Sequence, residues 1–142
     1  MRKIRIVLVA AMALGALGCS GLGQKLLDMS GADVKVGADA TLPAGFPLNA
    51  PGGGTLMTSA SMDIAGMTTS TVVYEITDGA GLLDGYEQQM KDAGLTTIRS
   101  SAGGADSVTG NNATTGENWT ASITDSGGKK MLSLVVLQKG GA

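Results

Sequence analysis

Between Thr55 and Lys139, apolar and polar residues alternate with a period of two in several separate runs. That is the spacing of half-buried β-strands. "TLMTSASMDI" places Leu56, Thr58, Ala60, Met62 and Ile64 on one face and Met57, Ser59, Ser61 and Asp63 on the other. "TSTVVYEIT" sets Val72, Tyr74 and Ile76 against Val73 and Glu75, and the intervening "IAGM", with Gly66, predicts a hairpin. "LTTIRS" predicts a further strand. In "ENWTASITD", Trp119, Ala121 and Ile123 alternate with Asn118, Thr120 and Ser122. "SGGKK" then predicts a turn, and "MLSLVVLQK" is the most apolar strand of the set.

One stretch changes period. In "DGAGLLDGYEQQMKDAGL", Leu82, Leu83, Tyr86, Met90 and Ala93 recur at helical spacing. Asp78 is the expected N-cap and Gly94 the expected stop. Gly85 weakens the middle by roughly 1 kcal/mol, so packing must hold the helix. The polar, glycine-rich "SAGGADSVTGNNATTG" reads as a spacer. The expected architecture is α+β, a small antiparallel sheet with one helix packed on a face, in the order β-β-α-β-β-β.

Upstream, "LPAGFPLNAPGGGT" marks a boundary, because Pro43, Pro47 and Pro51 hold the chain extended. Phe46 and Leu48 lie between them, free to pack on a sheet edge, and Gly52-Gly53-Gly54 reads as a turn. Those glycines lack the spacing and the GK[ST] end of a phosphate-cradling loop. Residues 42–139 are therefore expected to form a single domain. In residues 19–41, "GQKLLDMS" supplies at most a turn or two of helix and "ADVKVGA" a short strand. This segment reads as a flexible tether of about 25 Å root-mean-square span.

Residues 1–18 have the make-up of an export signal: a basic start at Arg2, Lys3 and Arg5, then an uncharged apolar run from Ile6 to Leu17. The run is shorter than the about 20 apolar residues of a membrane span. Cys19, the chain's single cysteine, follows at once in "LGALGC". An exported protein normally pairs its cysteines, so a lone one at this position calls for another use. The stretch resembles a bacterial lipoprotein signal, with small Gly18 before the obligatory Cys19 and Ala16 where leucine is preferred. The resemblance implies cleavage between Gly18 and Cys19, a diacylglyceryl group on the thiol, and a protein held to the membrane through that lipid. Two or more acyl chains make a durable anchor where one does not. Ser20 stands where aspartate would, in enteric bacteria, mark retention at the inner membrane, so the outer membrane is the expected location in a Gram-negative cell.

Composition narrows the chemistry. Cleavage would take the net charge from −2 to −5, the wrong sign for nucleic acid. Lys129-Lys130 reads as a solvated hairpin tip. With no histidine, neither a Ser-His-Asp nor a Cys-His arrangement can be built, and the commonest metal ligand is missing. Phe46, Tyr74, Tyr86 and Trp119 are the only aromatics, too few for a stacking platform. Met57, Met62 and Met67 suggest Cu(I), but core filling is the commoner use of methionine. Asp78, Asp84 and Glu87 cluster near the helix start, where capping and the helix dipole explain acids without Ca²⁺. Asn112-Ala113-Thr114 and Asn118-Trp119-Thr120 fit the N-x-[ST] pattern only by chance, and no G-x-S-x-G or S-x-x-K motif is present.

"LPAGFPLNAPGG", two strands and "LLDGYEQQMKDAGLTTI" together resemble a widespread set of uncharacterised secreted or lipid-anchored bacterial proteins, with Leu95 where those often carry tryptophan. That resemblance spans roughly Leu42 to Lys139 and implies a fold without an activity, cofactor or catalytic residue. The function expected is a non-catalytic, lipid-anchored envelope protein that binds a protein or envelope component. A small-ligand binder using the seam between helix and sheet is the alternative. A hydrolase built on Asp and Ser ranks behind both.

Overall fold

Tight turns set the register of the sheet. At Ala65-Gly66, Gly103-Gly104 and Gly127-Gly128 both central residues have positive φ, from 52° to 81°. This is the turn whose twist matches that of paired strands. The computed structural model describes residues 33–139. Its strands are β1 (Asp33–Val36), β2 (Thr55–Ile64), β3 (Met67–Ile76), β4 (Thr96–Ala102), β5 (Ala105–Asn112), β6 (Glu117–Ser126) and β7 (Lys129–Lys139). A short 3-10 turn, Gly37–Asp39, follows β1, and one α-helix, α1 (Leu82–Asp92), joins β3 to β4.

All seven strands form one antiparallel sheet in the order β1-β2-β3-β7-β6-β5-β4. The helix carries the chain from the third position to the far edge, and three hairpin steps bring it back. The last strand, β7, fills the middle. The α+β class and the helix on one face agree with the sequence reading, while two strands exceed it.

The first is β5, which lies in the supposed spacer. Its inward positions hold Asp106, Val108 and Gly110, so one large apolar residue is all that marks it. The β5–β6 turn is held by Asn112, whose side-chain oxygen accepts from the N–H groups of Thr114 (3.0 Å) and Thr115 (3.3 Å). The second is β1. Asp33–Val36, placed in the tether by the sequence reading, pairs with Thr58–Ser61 of β2.

The core lies on one face of the sheet. Val72, Tyr74 and Ile76 of β3, Leu132, Leu134 and Val136 of β7, Trp119 and Ala121 of β6, and Val108 of β5 are all buried there. The helix covers the β4-β5-β6 half with Leu83, Tyr86 and Met90. The proline-bearing segment adds buried Leu48 and half-buried Phe46 to the same core. Tyr86 joins the two covers, donating its hydroxyl to the Asn49 carbonyl at 2.9 Å, and Gln89 accepts from the Asn49 N–H at 3.0 Å. Burial, and then the neighbouring Tyr74, push the Tyr86 phenol well above its ordinary pKa.

Three details depart from the periodicity. A β-bulge between Leu56 and Thr58 shifts the register of β2. Leu56 therefore faces the core opposite Tyr74, while Thr58, Ala60, Met62 and Ile64 face the other way. At the helix start, Gly81, with φ of 73°, takes the N-cap position expected of Asp78. Asp78 instead accepts from the Ala80 N–H at 2.9 Å, which tightens the approaching loop. At the helix end Ala93 is the cap and its side chain is exposed, so it drops out of the buried stripe. Gly94 stops the helix as expected. Its N–H donates to Lys91 and that of Leu95 donates to Met90, each at 3.0 Å, which is the Schellman arrangement. Leu95 then packs on the core in place of Ala93.

Candidate functional site

Two surfaces deserve comparison, and the first surrounds the helix start. Asp84 and Glu87 lie one helical turn apart and reach down to Arg99 on β4. Arg99 donates from Nε to Glu87 at 2.7 Å and from its terminal nitrogen to Asp84. Glu87 also accepts from Lys91 at 2.8 Å and from Thr97 at 3.1 Å. Lys91 first, then Arg99, lowers the Glu87 carboxyl to about 2. The same two carboxylates raise the Arg99 guanidinium.

Beside this cluster a cleft of about 630 Å³ opens between the helix start and the ends of β4, β5 and β6. It is lined by Asp78, Leu83, Arg99, Asp106, Ile123 and Lys130 among others. Its volume falls inside the about 300–1,000 Å³ range of ligand pockets, above the low end expected from the sequence. Its charged groups are largely engaged with one another. Arg99 is held by Asp84 and Glu87, Lys130 meets Asp125 at 3.2 Å, and Ser101 donates to Asp106. A serine here has no imidazole to take its proton.

The second surface is the sheet face opposite the helix, which no described element covers. Strand register arranges its side chains in rows. One row runs Ile98, Thr109, Thr120, Val135, Thr71, Ala60, Val34 across the seven strands. The next runs Ser100, Ser107, Ser122, Ser133, Val73, Thr58, Val36. Neither row holds a charge. Toward the ends of the face stand Glu75, which meets Lys129 at 3.2 Å, and Lys139. Most residues of the two rows are half-buried, but Val36 is 56% exposed and Ile98 70%. The face divides into a hydroxyl-rich half on β4, β5 and β6 and a half on β7, β3, β2 and β1 where Val and Ala outnumber Ser and Thr in these rows. Thr109 and Thr120 already share a hydrogen bond at 3.2 Å in the first half.

The residues singled out by sequence are distributed as follows. Gly18 and Cys19 lie outside the described residues. Of the acids, Asp84 and Glu87 come together on Arg99, whereas Asp78 stands apart in the loop. Met67 stands opposite Ile64 and Met62 opposite Thr69, so the methionines are ordinary sheet residues. Among the described residues no group of three or more His, Cys, Asp or Glu is placed to hold a metal. Asn112 shapes its turn, and Asn118 lies on the open face beside Leu137. Lys129 and Lys130 open β7 and are paired with Glu75 and Asp125. Gly54 donates to Pro51 at 3.3 Å, closing the turn expected there.

Sequence reasoning missed Arg99 and the open face. Thr97 and Arg99, two apart on one strand, share the face under the helix, and Asp84 and Glu87 at i, i+3 supply matching acceptors. The open face was signalled by its residues: where a solvated sheet face carries Lys and Glu, these strands carry Ser, Thr and Val. No family model, curated protein or solved structure matches the chain.

Proposed function

We propose that the protein is a lipid-anchored, non-catalytic domain of the bacterial cell envelope. Acyl chains on Cys19 hold it to the membrane, with the outer membrane favoured by Ser20 in a Gram-negative cell, and the open sheet face binds a protein or envelope component. The observation that carries the reading is that open face, broad, uncharged across its middle rows and rich in Val, Thr and Ser. Large faces with apolar content are a mark of interaction sites, and charge depletion is the compositional mark of an interface centre. The anchoring half rests on Gly18-Cys19 behind the basic, apolar leader. The internal pairing of the charged groups around the cleft fits a structural use for them.

The anchor predicts a mature N-terminal peptide that begins at Cys19 and carries the mass of a diacylglyceryl group, measured by mass spectrometry of membrane-extracted protein. Cys19→Ser should move the protein from washed membranes to the soluble fraction or leave it unprocessed. A processed Cys19→Ser protein retained as firmly as the parent would end the anchored reading.

The cleft supports a second reading, a small-ligand binder, on the strength of its volume. A specific ligand raises the melting temperature by mass action. A metabolite screen that gives a saturable rise, abolished by Ile123→Trp in the cleft wall, would favour this reading over the first.

A further inference from the structure

We propose that the occupant of the open sheet face is a second copy of this chain, stacked face to face. The proposal rests on the reading of that face as the binding surface and names its partner. Area is the first argument. Seven strands and the rows from Thr69 to Glu75 cover on the order of 700 Å² per copy at the usual strand spacings. Standard-size stable interfaces bury about 600–1,000 Å² per partner. Stacked sheets bury such faces with their strands aligned within about 30°.

Charge is the second argument. The chain is acidic overall, so two copies approaching by most of the surface bring like charges together. The helix side carries Asp84, Glu87 and Asp92 against Lys91 and Arg99, whereas the two middle rows of the open face carry no charge at all. Two such faces meet without repulsion, and a strongly charged partner gains nothing there.

Self-complementarity is the third. With β7 at the centre, a two-fold axis across the strands sets each half of the face on its own like. With the axis between the two middle rows, Val34 faces Val36 of the other copy, and the hydroxyls of Thr109 and Thr120 face those of Ser107 and Ser122. A hydroxyl both donates and accepts, so like on like is satisfied. The other in-plane axis, along the strands, would lay Val36 over Ser100 and Val73 over Ser122. Exposed Val36 and Ile98, at the two edges, gain cover in the stack.

The test uses the full chain in a bacterial host, with a photo-crosslinking residue in place of Ser133 and, as control, in place of exposed Gln88 on the helix. Irradiation should give an adduct of twice the chain mass from the Ser133 site, with both halves yielding peptides of this chain, and none from Gln88. Ser133→Lys and Thr120→Lys, which place like charges on both facing surfaces, should each convert the purified full-length protein from dimer to monomer by light scattering, with circular dichroism unchanged. An adduct to a different protein overturns the second copy while leaving the open face as a binding surface. No adduct of any kind removes both. A dimer that survives both lysine variants places the contact elsewhere and overturns the proposal.

Discussion

At the scale of the residue, Gly110 shows how one side chain's absence decides a position. It is buried in β5 beneath the helix end, and a Cβ there would lie 3.1 Å from the Cβ atoms of both Leu95 and Met90. Those are stems fixed by backbone, not flexible tips, so the helix must lift to make room. Gly110→Ala is expected to destabilise by about 1–3 kcal/mol, the usual cost of overpacking. It should appear in urea titration as a lower midpoint with the slope unchanged. Trp119 and Tyr74 illustrate the opposite case, polar atoms committed to a dry place. The Trp119 Nε1 and Tyr74 hydroxyl are buried with no protein partner among the described residues. They contribute apolar area, against the cost of an unmade hydrogen bond.

At the scale of the element, the helix is tied to β4 by Glu87 as well as by its apolar stripe. The Glu87 carboxyl, lowered to about 2 by Lys91 and then Arg99, is held below its ordinary 4.5. A depressed carboxyl contributes stability that is present above the ordinary value and lost as pH falls through the folded one. Glu87→Gln removes that contribution. The stability gap between parent and variant, measured by urea titration, should therefore hold at neutral pH and close between pH 4.5 and about 2. A gap unchanged across that range would mean that the ion pairs contribute nothing in solution. Long elements were legible in the sequence because each repeats its pattern several times. β2, β3, β6 and β7 run ten or eleven residues, and the helix announced both its stripe and its glycine stop. β5 was not legible, since close helix packing requires glycine where a strand would normally show a second apolar residue. The β2 bulge was hidden for a related reason: methionine, threonine and alanine fit either face, so composition could not fix which way Ala60 points. The site followed the same division. Asp84 and Glu87 were visible as a cluster, but their cation comes from another element and only register brings it there.

At the scale of the molecule, the sheet joins two segments that have no other strand in common. β1-β2-β3 is one meander and β4-β5-β6 another, and β7 pairs with β3 on one side and β6 on the other. Shortening the chain before Lys129 should abolish cooperative unfolding altogether instead of lowering its midpoint, as followed by circular dichroism. The central strand is also the last of the described strands to leave the ribosome. A nascent polypeptide of this topology has nothing to lock onto until its keystone is synthesised, because contacts so distant along the chain carry their loop-closure cost in advance. The consequence of such late locking is that the two meanders remain unjoined, and the sheet incomplete, until β7 has been made.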